Sequence, residues 1–143
     1  MKRTFLLTLI LTVLLPLTTI GQDNEETKIH YMKVDMAAYR EDTLSEFKKM
    51  DISLIRYYDD GSVLEAEDSE GDKYRWILLK DVNSEFDDSG PTEDGSTRYY
   101  YEAEFMNNGK GLLIELIENS KAATWILYHG GGEKTFFITN KLN

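Results

Sequence analysis

The strongest pattern in the chain is an alternation of apolar and polar positions over residues 98–139, broken by three turn signals. Side chains along a strand point to opposite faces in turn, so this period of two predicts four consecutive antiparallel strands. Asn108-Gly109 marks the first turn, because a two-residue type I′ loop needs positive φ at both central positions. It sets Phe105 opposite Leu112, Ala103 opposite Ile114 and Tyr101 opposite Leu116. Asn119-Ser120 or Ser120-Lys121 marks the second turn, and either choice carries Ala123, Trp125 and Leu127 to the same face. The third lies at Gly130-Gly131-Gly132. An even loop there turns Phe136 and Ile138 inward and an odd one Phe137; burying two large apolar groups favours the even loop.

The same reading extends upstream. Lys28–Val34 alternates as a first strand, with His30, Met32 and Val34 on one side. Thr43-Leu44-Ser45-Glu46 reads as a capping box that opens a short helix with Leu44, Phe47 and Met50 on one face. Asp60-Gly61 predicts a hairpin with Tyr57 facing Leu64, Ile55 facing Ala66 and Arg56 facing Glu65. Tyr74–Leu79 is apolar on both faces, as an interior strand is. Residues 81–96 carry Gly90, Pro91, Gly95 and six carboxylates, and read as a mobile acidic loop.

These elements predict a mainly β chain: about eight strands in one antiparallel meander that closes into a small barrel or curled sheet, with one short helix after the first strand. The alternative is an α+β roll with the sheet wrapped on that helix. The order of elements resembles the general plan of lipocalin and fatty-acid-binding folds, in which an open interior holds a hydrophobic molecule. The lipocalin Gly-x-Trp signature near the first strand is missing, so the resemblance covers architecture only.

Composition adds a location. Lys2 and Arg3 precede an apolar run from Phe5 to Leu17, and Thr19-Ile20-Gly21 presents a cleavage site before Gln22. Residues 1–21 thus read as a cleaved signal peptide and 22–143 as a single extracytoplasmic domain, periplasmic or secreted, with no membrane anchor after cleavage. The apolar run is shorter than the roughly 20 residues that a spanning helix requires. The chain has no cysteine, which excludes a disulfide framework, a thiolate metal site, a Cys nucleophile and a lipidated Cys. Formal net charge is −10, a surface that repels nucleic acid and anionic lipid.

Candidate chemistry is sparse. Trp76, Tyr101, Trp125 and Phe136 are the expected walls of an interior cavity for a hydrophobic small molecule. Tyr100, Leu113, Ile117 and Ile126 form an apolar strip on the outer face of the meander, the expected contact surface of a protein-interaction or inhibitor module. The predicted register sets Glu102 opposite Glu115, a like-charge pair that makes these two the candidate metal ligands. The acidic loop is no EF-hand, since Phe86 stands where that motif needs Gly and Thr92 where it needs Glu. His129-Gly130-Gly131-Gly132 reads as a hairpin turn, and His30 and His129 lack the spacing of a zinc site or a catalytic triad. No catalytic motif and no cofactor signature stands out. The expectation is an exported binding protein rather than an enzyme, with a hydrophobic molecule or another exported protein as partner.

Overall fold

A computed structural model describes residues 28–59 and 62–142. The expected signal peptide, 1–21, and the Asp60-Gly61 pair lie outside the described residues. The strands follow as β1 (Ile29–Arg40), β2 (Lys48–Lys49), β3 (Leu54–Tyr58), β4 (Val63–Glu67), β5 (Lys73–Asp81), β6 (Gly90–Pro91), β7 (Thr97–Phe105), β8 (Gly111–Glu118), β9 (Ala122–Gly130) and β10 (Glu133–Lys141). Apart from β2 and β6, two-residue additions beside β1 and β7, each strand pairs antiparallel with the next. β10 returns to β1, so the eight long strands among the described residues close into a barrel. Closure leaves these strands no free edge, which settles the choice against an open curled sheet or a roll.

β1 makes the closure possible by running well past Val34. Its first half pairs with β3 and its second with β10, and a bulge at Asp35 shifts the register between Val34 and Met36. The extra residue bends the strand across the seam and resets the alternation, so that Met32 and Ala37 are both buried.

The expected helix does not form; no α-helix occurs among the described residues. Asp42, rather than Thr43, caps a single turn, its Oδ1 accepting from the Leu44 and Ser45 amides at 2.8 Å each. The chain is extended again at β2, which pairs with Ala38 and Tyr39. Leu44 is 96% exposed, so it has no apolar surface to meet and nothing offsets the cost of helix nucleation.

The β3–β4 hairpin has the predicted register, with Tyr57 opposite Leu64, Ile55 opposite Ala66 and Arg56 opposite Glu65. The β7–β8 hairpin is slipped by two residues: Ala103 pairs with Leu112 and Tyr101 with Ile114. Met106–Lys110 forms a longer loop, closed by the Gly109 amide donating to Phe105 O at 2.8 Å and the Phe105 amide to Lys110 O at 2.9 Å. A slip of two keeps every side chain on its face, so the predicted inside survives. The β8–β9 turn is Ser120-Lys121, held by Asn119 Oδ1, which accepts from the Lys121 and Ala122 amides.

The β9–β10 hairpin corrects the expectation for Phe136. Its loop, Gly131-Gly132, is even, but Glu133 pairs with Gly130 and Lys134 with Tyr128, leaving His129 as a bulge. That one extra residue flips the parity of β10. Phe137 points inward at 1% exposure, beside the buried Thr135 and Thr139, while Phe136 faces outward against Phe47 at 5.1 Å between ring centroids. Thr139 tolerates the interior because its hydroxyl donates to Ala123 O at 2.7 Å. Ile55, Leu64, Ala66, Ile114 and Leu127 are fully buried and, with Trp125 and Phe137, fill the waist of the barrel.

Candidate functional site

The filled waist divides the interior into two hollows at opposite ends of the barrel. One lies beneath the loops at Met106–Lys110 and Gly131-Gly132 and measures about 270 Å³. Met50, Trp76, Phe105 and Leu112 give it apolar walls. His129 lines it too, with Nε2 2.9 Å from Thr135 Oγ1, and burial pushes its pKa below the usual imidazole value, so at pH 7 the ring is neutral.

The other hollow is a cup of about 320 Å³ built from the opposite strand ends. Its floor is the buried set Met32, Leu116 and Trp125, which the inward parity of β1, β8 and β9 brings together. The walls are the half-buried rings of Tyr57, Tyr99 and Tyr101. Tyr57 leans on Trp125 at 5.8 Å between centroids, and Tyr99 lies 6.4 Å from Tyr101. Two side-chain contacts form the rim: His30 Nε2 with Asp59 Oδ2, and the ion pair of Lys141 Nζ with Glu118 Oε2, each at 2.9 Å. Burial, ahead of nearby charges, raises the phenol pKa of Tyr101 and of Tyr57 above the ordinary value of 10.0, so both hydroxyls stay protonated.

Trp125, on the floor of the cup, holds a buried polar atom without a partner. The indole Nε1 of Trp125 is buried with no acceptor among the described residues. An unsatisfied buried donor costs about 1–3 kcal/mol, and native structures hold few of them.

The four predicted cavity residues are therefore not one site. Tyr101 and Trp125 share the cup, Trp76 lines the opposite hollow, and Phe136 is outside the barrel. Tyr57, Tyr99 and the rim residues complete the cup. The positions of Tyr57 and Glu118 were readable from parity, since Tyr57 lies opposite Leu64 and Glu118 two residues beyond Leu116. That of Lys141 was not, because it follows the His129 bulge.

The outer face also departs from expectation. The two-residue slip sets Glu102 opposite Leu113 and Lys80, and Glu115 opposite Tyr100, so the facing carboxylates do not exist. Glu115 is buried, accepts from Tyr128 OH at 2.7 Å, and has Arg98 Nε 3.0 Å from Oε2, close enough for an ion pair though not aligned as a hydrogen bond. No group of three His, Cys, Asp or Glu among the described residues is placed to hold a metal. In the apolar strip, Tyr100 is 6% exposed beneath Phe86, which stacks on it at 3.9 Å, while Leu113, Ile117 and Ile126 are half-buried. The acidic stretch supplies that cover through a 3-10 turn at Asn83–Glu85 and β6.

No protein-family model matches this chain, and comparison with curated proteins and with solved structures returns no match.

Proposed function

We propose that this chain is a small-molecule-binding protein, lipocalin-like in architecture only, which takes its ligand in the cup floored by Trp125. The observation that carries the reading is the cup itself: about 320 Å³, at the small end of the roughly 300–1,000 Å³ usual for ligand pockets, with aromatic walls and a buried apolar floor. The opposite hollow supports it less, because two of its polar side chains, His129 and the buried Thr135, are already bonded to each other. The interaction-face alternative has a reduced basis, since Tyr100 lies beneath Phe86.

Export belongs to the same proposal. The Lys2-Arg3 start, the apolar run and Thr19-Ile20-Gly21 support it, and the protein recovered from an extracytoplasmic fraction is expected to begin at Gln22.

The indole N–H resonances of Trp76 and Trp125 report on the two hollows separately. Titration with a panel of small ring compounds is expected to move the Trp125 resonance saturably and leave Trp76 in place. A panel that moves neither, or only Trp76, refutes the assignment of function to this cup.

A further inference from the structure

We infer that a second copy of this chain docks on the outer face of the barrel between β1 and β7, about a two-fold axis running along β9. The inference goes beyond the binding function proposed above and is independent of the cup. Rows of outward side chains cross this face along the ladder. Met36, Ile138, Thr124 and Ile117 form one row, and Phe136 and Ile126 lie in the next. Met36 is 50% exposed, Ile138 39%, and Phe47, packed on Phe136, 43%. A sheet face turned to water is ordinarily polar, whereas this one is apolar across its middle. The cover of Tyr100 by Phe86 lies at its β7 edge.

The two edges of the face carry opposite charge. At the β1 edge, Arg40 and Lys134 sit opposite each other in the register, and Lys49 pairs beside Ala38. Like charges so placed repel, yet among the described residues none of the three forms an ion pair. Arg40 rests instead on the Phe47 ring at 4.9 Å and Lys134 on the Tyr128 ring at 4.7 Å. At the β7 edge, Glu102 and, on the acidic stretch, Asp87 are exposed and likewise form no ion pair among the described residues. The strand order across the face is β1, β10, β9, β8, β7, so β9 is the middle strand. A two-fold axis along it sets β10 of one copy against β8 of the other, and β1 against β7. Ile138 then meets Ile117 of the second copy, Arg40 meets Glu102, and Lys49 meets the stretch bearing Asp87. Opposite charges meet at both edges, and the apolar middle closes on itself. An acidic partner of another kind would suit the β1 edge and be repelled by the other. Two copies with net charge −10 repel at long range, but salt screens that repulsion beyond about 8 Å at physiological ionic strength, so contact between the faces decides.

Sedimentation equilibrium at physiological salt tests the dimer and its geometry together. The wild type is expected to dimerise, and Ile138→Asp to weaken association about ten-fold or more. Two double variants set like charges against each other: Lys49→Glu with Lys134→Glu, and Asp87→Lys with Glu102→Lys. Each alone should also dimerise about ten-fold or more weakly than the wild type. Mixed in equal amounts, they restore opposite charges at both edges and should form a heterodimer of wild-type affinity. The second double variant brings the net charge closer to zero, so tighter association by it alone would mean that net repulsion governs, and overturns the inference. Should either double variant not fold, Lys49→Glu and Asp87→Lys, single changes at exposed positions, carry the same mixing experiment. A wild type that stays monomeric at submillimolar concentration overturns the inference, as do variants that dimerise like the wild type. A mixture that stays as weak as its components overturns it too, because the two edges then do not meet.

Discussion

Arg56 and Glu65 face each other across the β3–β4 ladder, with Nη1 2.9 Å from Oε1 on the outer surface of the barrel. On the other side of Glu65, the Arg75 Nε lies 2.6 Å from Oε2. The carboxylate is buried although it points away from the core, because the two guanidinium groups and their stems lie over it. Burial by itself would raise its pKa; the hydrogen bonds from Arg75 and Arg56 outweigh that and hold it below the ordinary 4.5. A lowered native value means that the contribution to stability is present above pH 4.5 and is lost as pH falls through the native value. Glu65→Gln is expected to cost about 2 kcal/mol at neutral pH, less than a fully buried pair because both arginines are partly exposed. Denaturant unfolding should show the gap between the two proteins narrowing as pH drops below 4.5. A constant gap would place the effect in packing instead of charge.

That pair was legible in the sequence because a two-residue Asp-Gly turn leaves one register for the strands on either side of it. The same rule failed at Asn108-Gly109, where Met106–Lys110 closes a longer loop through Phe105, and the pairing slid by two residues. Inside and outside survived the slide, so Tyr101 and Trp125 could be placed in the interior from alternation alone. Bulges were not legible. Nothing in the local pattern around Asp35 or His129 marks an extra residue, yet each resets the parity of the strand beyond it, and after His129 Phe136 and Ile138 exchanged expected faces with Phe137. The helix was misjudged for a different reason: the capping box at Thr43 is a local signal, and no packing surface supports it.

Gly132 sits at φ +84° in the β9–β10 turn, and a Cβ there would lie 2.7 Å from both Thr43 Cγ2 and the Thr43 amide nitrogen. The close approach arises because Arg40 Nε donates to Gly132 O at 3.2 Å, which draws the 41–46 segment onto the turn. Gly132→Ala is therefore expected to cost about 2 kcal/mol or more, combining backbone strain with a clash against main chain. Gly131→Ala, at φ +63° with open space around it, carries only the strain, about 1 kcal/mol. Thermal unfolding of the two variants should separate them by a few degrees. Equal midpoints would mean that the 41–46 segment moves aside freely.

Tyr128 donates its hydroxyl to Glu115 Oε1 at 2.7 Å. Burial, followed by that hydrogen bond and the charge of Glu115, pushes its pKa up to about 12 from the ordinary 10.0. Because the native value is the higher one, the contribution to stability is full below pH 10 and is lost as pH rises toward 12. Phenolate absorbance should show a late rise in the wild type that is smaller by one phenol in Tyr128→Phe, the remainder coming from Tyr101 and the other buried phenols. The variant should also keep more of its neutral-pH stability between those two values. A late rise of undiminished size in the variant would assign all of it to those other phenols.

Phe86 lies flat on Tyr100, with 3.9 Å between centroids and 15° between planes. The Tyr100 amide donates to Asn83 Oδ1 at 2.6 Å and its hydroxyl to Asp88 Oδ1 at 2.8 Å, so three residues of the acidic stretch hold one tyrosine. Of these three only Phe86 contributes apolar area, while the buried Val82, whose amide donates to Tyr100 O at 3.0 Å, anchors the start of the stretch; the two polar contacts are made by side chains that water could otherwise satisfy. Phe86→Ala is thus expected to free the stretch from the sheet while leaving the barrel closed, since no barrel strand pairs through residues 82–89. The global cost should be about 1–2 kcal/mol, the stacking term plus the lost burial. Cleavage by a broad-specificity protease should move to residues 82–91 at low enzyme ratios, with the remaining fragments still associated as a barrel. If the variant resists cleavage like the wild type, Val82, the β6 pairing and the polar contacts hold the stretch without Phe86. The half-buried Leu113, Ile117 and Ile126 beside Tyr100 would then stay as shielded as before, whereas release of the stretch should show as new binding of an apolar dye.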